Sequence, residues 1–180
     1  MKLSINRDLL LKAINLVVKA ADKRHRFAIL ANIKLVLEEG FLTLTASDLE
    51  LELTTRFALP KDGCIQAGST TLPAEMFFSV CKSLPEEVVV IDAPEDTTHC
   101  IITSGTGRYT LSCLPADDFP TIGTATPLSV IKISQGNLSS LIHHTRFAMA
   151  TQDVRYYLTG MLFDIGENTL TAVATDGHRL

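Results

Sequence analysis

The chain closes with TLTAVATDGHRL, residues 169–180, which packs Asp176, Gly177, His178 and Arg179 into four consecutive positions. A carboxylate, an imidazole and a guanidinium can serve as general base, metal ligand and anion clamp, the parts of a hydrolase or nuclease. His143 and His144 would supply two further nitrogen donors. Spacing argues against that chemistry. The two histidines are neighbours in a helical pattern, where successive side chains point about 100° apart, and no Asp, Glu and His set has metal-ligand spacing. Cys64, Cys81, Cys100 and Cys113 lie 17, 19 and 13 positions apart with no C-x-x-C pair. Reduced, partly buried thiols are expected, and neither a metal nor a cofactor is.

The elements that must position these residues follow from bulk properties and patterning. A chain of 180 residues with 46% hydrophobic residues and mean hydropathy +0.23 can bury a core of one large domain or of one and a fraction. The opening MKLSINRDLLLKAINLVVKA is broken by Asn6, Arg7, Asp8, Lys12, Asn15 and Lys19, so it reads as no signal peptide, and the cytoplasm is the expected location. The net charge of −4 is unevenly spread: residues 1–26 carry seven Lys and Arg against Asp8 and Asp22, a net of +5, leaving −9 for the remainder. One basic stretch on an acidic protein suits one surface that meets a polyanion and another kept away from it.

A repeat lies at an offset of 128. It carries Leu30 to Leu158, Ile33 to Met161, Leu37 to Ile165, Leu42 to Leu170, Thr43 to Thr171, Ala46 to Ala174, Ser47 to Thr175 and Asp48 to Asp176. The same gapless frame takes Leu3 to Ile131, Ile5 to Ile133, Leu10 to Leu138 and Ile14 to Ile142. Asp176 is therefore a repeated turn residue able to bond nearby amides, and Gly177, His178 and Arg179 are what the second copy adds.

In the first copy, MKLSIN alternates as a strand. Asn6 can cap a helix whose polar stripe is Asp8, Lys12, Asn15 and Lys19, opposite Leu10, Ala13, Ile14 and Val17. IKLVLEEGFLTLTA reads as two strands around a Glu-Gly turn, and LELELTT as a strand with Leu49, Leu51 and Leu53 on one face. A second helix is expected from about Pro73 to Leu84, then strands in EVVVIDA, HCIITS and RYTLSCL. The loop PADDFPTIGTATP, residues 115–127, marks a boundary after which the pattern restarts. The expected division is 1–125 and 126–180, with the second copy cut short, so the chain reads as a fragment of a longer protein.

ASDLELE, LPADDFP, TQDVRYYLTGMLF and ATDGHRL, in this order along the chain and in register across essentially all of it, resemble the bacterial sliding clamp family, the beta subunit of DNA polymerase III holoenzyme. The resemblance implies an α+β DNA-clamp fold of repeated domains, each with two helices packed on antiparallel sheets. One complete domain and about half of a second are present, and the third domain is absent. It implies a non-catalytic processivity factor: two protomers close into a homodimeric ring around duplex DNA, sequence-blind, with no membrane role. Its partners would be the polymerase alpha subunit, the clamp loader and other proteins carrying a clamp-binding motif. Salt-sensitive contact through phosphates is what a slider needs.

The resemblance also places sites. Arg24, with Lys23 and Lys12, matches DNA-facing cations, and Gln152, Tyr156 and Tyr157 match residues that meet DNA near the ring mouth, where aromatics can stack on unpaired bases. Arg155 is either a phosphate contact or a support for its loop. Leu158, Thr175, Gly177, His178, Arg179 and Leu180 match one wall of the peptide pocket. Arg108, Tyr109 and Leu111 match the edge strand of the dimer interface, which without its partner domain is expected to self-associate. KRHRFA, residues 23–28, departs from the Pro- and Gly-rich loop usual there. Two rivals stay open: an Asp/His-dependent hydrolase, and a peptide-binding adaptor with no DNA role.

Overall fold

The computed structural model describes residues 1–22, 27–95, 97–123, 126–128 and 130–180. Backbone contacts divide the chain into two compact units, Met1–Thr124 and Ala125–Leu180. The first begins with β1 (Lys2–Asn6), α1 (Arg7–Val17), a 3-10 turn at Val18–Ala20 and another at Ala28–Ala31. Asn6 caps α1, its side-chain oxygen accepting from the amides of Asp8 and Leu9 at 2.9 and 3.2 Å. Leu10, Ala13, Ile14 and Val17 are buried and Asp8, Lys12, Asn15 and Lys19 exposed, as the stripe predicts, although Lys19 lies in the 3-10 turn rather than the α-helix.

β2 (Asn32–Glu38) and β3 (Phe41–Ser47) form the hairpin around Glu39 and Gly40, whose φ of 50° and 80° place both in the left-handed region that a two-residue hairpin turn favours. β4 (Glu52–Ala58), β5 (Cys64–Gln66), β6 (Gly68–Pro73), α2 (Ala74–Ser83), β7 (Val88–Asp92), β8 (His99–Ser104) and β9 (Gly107–Ser112) follow. The strands make two antiparallel sheets, ordered β5-β1-β7-β8-β9 and β4-β3-β2-β6. The helices α1 and α2 pack on each other, and α1 also lies on β3 and β4. Phe77 of α2 is fully buried in this core.

Two expectations need correction, and one stretch went unread. Leu49 and Leu51 do not alternate along a strand, because β4 starts only at Glu52. The Asp48 carboxylate accepts from the amides of Glu50 and Leu51 at 3.0 and 2.7 Å, which turns the backbone there and leaves both leucines about half exposed. Pro73 ends β6 instead of entering the helix. The stretch from Cys64 to Pro73 is two strands whose polar, Gly-interrupted sequence gave no alternation to read.

The second unit repeats the first from the helix to the end of the hairpin, but residues 130–134, the counterpart of β1 and expected as a strand, form none, having no neighbouring strand to pair with among the described residues of this unit. α3 (Gln135–Thr145), 3-10 turns at Arg146–Ala148 and Tyr156–Thr159, β10 (Leu162–Ile165) and β11 (Leu170–Val173) follow the offset of 128. The helix and turn limits shift by that number at both ends, and Ser134 caps α3 where Asn6 caps α1. The hairpin register is conserved between copies: Leu35 faces Leu44 and Phe163 faces Ala172. Exposure differs. Among the described residues of this unit only Ala148 and Ala174 are buried, and Ile142 and Ile165, counterparts of buried Ile14 and Leu37, are open to solvent. The first unit closes its core with α2 and the five-stranded sheet, and the described residues of the second unit include no counterpart of either.

Truncating Phe77 to Ala should cost about 3–5 kcal/mol of stability, a large share of a typical domain's total. Urea unfolding of the chain followed by circular dichroism would register it as a lower midpoint.

Candidate docking turn and nucleic-acid contact surface

Beyond β11, buried Ala174 anchors the backbone and the next residues fold into a tight turn held by two side chains. The Thr175 hydroxyl donates to the Arg179 carbonyl at 2.6 Å and accepts from the Gly177 amide at 3.0 Å. One Asp176 oxygen accepts from the amides of His178 and Arg179 at 2.9 and 3.1 Å, while the other accepts from Arg179 Nε at 2.9 Å. These bonds, the His178 amide foremost, hold the Asp176 carboxyl below its usual range. Asp176 is thus committed to backbone donors instead of standing beside an imidazole as a base. Among the described residues no group of three His, Cys, Asp or Glu could hold a metal.

The first unit has the same turn. Ser47 accepts from the Leu49 amide at 3.1 Å, and Asp48 bonds two amides as Asp176 does. Leu49 has φ 75° and Gly177 φ 88°, so the left-handed position is built into the repeat. What differs is the decoration. Leu180 lines a hollow of about 280 Å³ with His144, Thr145, Phe147 and Val173, and the Arg179 guanidinium carbon lies 5.8 Å from the Phe147 ring centroid. His144 Nδ1 donates to the Ser140 carbonyl at 2.7 Å. Of the six expected docking residues, Leu180 lines this hollow. Thr175, Gly177, His178 and Arg179 make the turn, and Leu158 is half-buried in the 156–159 turn. Sequence reading missed Phe147 and His144. The signal was available for Phe147: an aromatic stands in the second copy where the first has Lys19.

Lys12 is exposed on α1, and among the described residues neither it nor Lys19 forms an ion pair. Lys23 and Arg24 lie outside the described residues. Gln152, Tyr156 and Tyr157 share one loop, closed by a bond from the Ala150 amide to the Leu158 carbonyl at 2.9 Å. The first unit closes its counterpart in the same way, Asp22 amide to Leu30 carbonyl at 3.0 Å. On the offset of 128, Arg24 and Gln152 occupy equivalent positions of the two loops. Gln152 has φ 61°, and the tyrosines are 82% and 67% exposed with rings edge to face at 6.1 Å, so neither serves as a core residue.

Arg155 stands inside this loop. Asp153 takes Arg155 Nε and Nη2 at 3.1 and 2.8 Å and also accepts the Arg155 backbone amide at 2.8 Å. The Arg155 side chain, with that amide, drives the Asp153 carboxyl down to about 2. In the first unit Arg108 is exposed on β9, an edge of the five-stranded sheet, and Tyr109 is half-buried. Leu111 is 3% exposed and packs into its own core, so its side chain offers little surface to a partner.

The family model described as DNA polymerase III beta subunit, N-terminal domain, matches residues 1–123, and that of the central domain matches residues 132–180. The chain belongs to the DNA polymerase III beta subunit family. A Beta sliding clamp of Pseudomonas putida is 43% identical over all 180 residues, and one of Escherichia coli K12 is 41% identical, the chain covering 48% of each. The chain spans about half the length of the curated relatives it matches. Among solved structures, a DnaN sliding clamp from Pseudomonas aeruginosa bound to griselimycin superposes with a TM-score of 0.92 at 42% identity, over 99% of this chain and 47% of that one. A beta subunit structure from Caulobacter crescentus gives 0.86 at 36% identity. The α+β clamp architecture of the first unit, two helices against antiparallel sheets, is the fold of this beta subunit family.

An NMR titration of the Asp153 carboxyl should show a midpoint near 2, and Arg155→Gln should return it toward the ordinary value of about 3.9. Because the folded-state value is depressed, the ion pair's contribution is complete above about pH 4 and is lost as pH falls through 2.

Proposed function

We propose that the chain supplies the first domain, residues 1–125, and part of the second, residues 126–180, of a ring-shaped sliding clamp whose third domain lies outside this sequence. The ring encloses duplex DNA as a homodimer and tethers the replicative polymerase alpha subunit, the clamp loader and other proteins with a clamp-binding motif. It acts in the cytoplasm and catalyses nothing itself. The observation that carries this reading is the repeated loop on a repeated helix and hairpin. In sequence, Arg24 is the offset counterpart of Gln152, and Tyr156 and Tyr157 are exposed in the loop that carries Gln152. With Lys12 and Lys23, these groups suit diffuse contact with phosphates and exposed bases. Such contact lets a ring slide, since no base-reading pocket creates a deep minimum.

The turn from Thr175 to Leu180, with Leu158, serves in this reading as one wall of a peptide-docking site. Its apolar side is Leu180 beside Phe147, and its polar edge is His178 and Arg179. Arg108, Tyr109 and Leu111 mark the strand through which protomers join; the backbone of β9 and outward Arg108 would carry that contact. The hydrolase reading is not favoured, because Asp176 is engaged by two amides and a guanidinium. Among the described residues no helix is long and apolar enough to cross a membrane.

The full-length protein, loaded by its clamp loader onto nicked circular DNA, should stay bound through gel filtration and be lost once the circle is linearised. Equal retention on both forms would overturn the ring reading. Leu180→Ala in the full-length protein should weaken a fluorescein-labelled clamp-binding-motif peptide of the alpha subunit roughly tenfold, about 1.4 kcal/mol, read by fluorescence anisotropy.

A further inference from the structure

The two sheets of the first unit do not fill all the space between them. Met1, Ala93 and Cys113, at strand ends of the five-stranded sheet, and Ser69 and Thr70 of β6 in the other sheet line a common cavity of about 500 Å³, a volume ordinary for a small-molecule site. Register explains the opening. Thr70 pairs with Leu35, so the two side chains leave the same face of their sheet, the face on which Leu35 and Leu72 are buried in the core. Cys113 stands two residues beyond buried Leu111, continuing the inward face of β9. Neighbouring inward positions carry leucine or isoleucine, and the smaller threonine and cysteine leave room.

The polar atoms of this cavity mark it as more than a packing gap. Among the described residues six polar side chains are buried, and five have a hydrogen-bond partner. Asn32 donates to Thr71 at 2.8 Å, Thr45 bonds Thr54 at 3.0 Å, and Ser47 and Ser104 accept from the amides of Leu49 and Glu86 at 3.1 and 3.2 Å. Thr70 is the sixth: it is 5% exposed and its hydroxyl has no partner. Hydroxyls withheld from water without a partner are costly and rare, so an unpaired one in a cavity wall is a binding point for a ligand. Charge at the cavity is one-sided. Glu95 and Asp117 line it as exposed carboxylates without an ion pair among the described residues, and no Lys, Arg or His side chain lines it. The Met1 amino group is bonded to the Ala93 carbonyl at 2.7 Å. Met1, Pro94, Leu114, Pro115 and Ala116 supply the apolar lining, and a methionine thioether packs well against an aromatic ring.

We propose that this cavity binds a small hydroxylated arylalkylamine, with its ring between the sheets, its ring hydroxyl bonded to Thr70 and its ammonium at Glu95 and Asp117. A cation held at the exposed carboxylates keeps much of its hydration, while the hydroxyl supplies the partner that Thr70 lacks. The inference concerns the first unit alone and does not rest on the clamp reading.

The test is methyl NMR of the full-length protein, labelled at alanine, with tyramine as the probe. The Ala93 and Ala116 methyls should shift on titration, with a Kd on the order of 1 mM for a ligand of about ten heavy atoms. 2-Phenylethylamine, which lacks the hydroxyl, should bind roughly fivefold more weakly. 4-Hydroxyphenylacetate, with a carboxylate in place of the ammonium, should leave both methyls unmoved. Thr70→Val should reduce tyramine to the affinity of 2-phenylethylamine, whereas Thr70→Ser, which keeps the hydroxyl, should bind tyramine as the wild type does. Glu95→Gln combined with Asp117→Asn should weaken both amines roughly threefold. Circular dichroism melting confirms that each variant is folded. Tyramine that leaves the two methyls unmoved overturns the inference, as does equal binding of the two amines by the wild type. Tighter binding of 4-hydroxyphenylacetate also overturns it, in favour of an anion at the Met1 amino group. The clamp reading stands under each of these outcomes, since its own test is retention on circular DNA.

Discussion

Two backbone amides at the end of each hairpin must find an acceptor, and in both units the acceptor is one aspartate carboxylate. Asp48 takes Glu50 and Leu51; Asp176 takes His178 and Arg179. A carboxylate that bonds amides two and three residues on forces the chain out of the extended conformation, so the strand stops and the next residue enters the left-handed region. The seemingly catalytic Asp-Gly-His-Arg run is a consequence of that constraint. Its aspartate shapes the backbone, and the side chains that follow are presented outward on a rigid turn.

The repeat shows how one scaffold carries different surfaces. Caps, hairpin register, closing loop bonds and the aspartate turn coincide in the two copies, since each satisfies backbone groups that any sequence in this fold must satisfy. The outward residues are free to differ. Where the first copy has Lys19, Phe27 and Leu49, the second has Phe147, Arg155 and Gly177. The first set leaves a cationic helix end and an apolar turn. The second opens a hollow beside Leu180 and sets a guanidinium across the glycine.

Burial separates the units for a related reason. In the first, the helix stripe of Leu10, Ile14 and Val17 is covered on every side, and the core closes through α2 and the five-stranded sheet. In the second, a helix and one hairpin cover only part of the equivalent stripe, so side chains of the same type remain open. Apolar periodicity reports which face a helix would bury; whether it is buried depends on elements distant in sequence.

The sequence by itself determined the helix stripe of α1, the hairpin at Glu39 and Gly40, three of the later strands and the frame of the repeat. Each is written in local spacing, at 3.6 residues for a helix, two for a strand, or a constant offset between copies. It also singled out the Asp176 turn, because the counterpart Asp48 lacks the following Gly, His and Arg. Only the tertiary structure decided that Leu49 and Leu51 leave the strand, that Leu111 points into its own core, that Phe147 joins Leu180, and that Arg155 lies over Gly177. Those outcomes depend on which backbone donors find acceptors and which side chains meet across tens of residues. Periodicity within a segment carries no information about either.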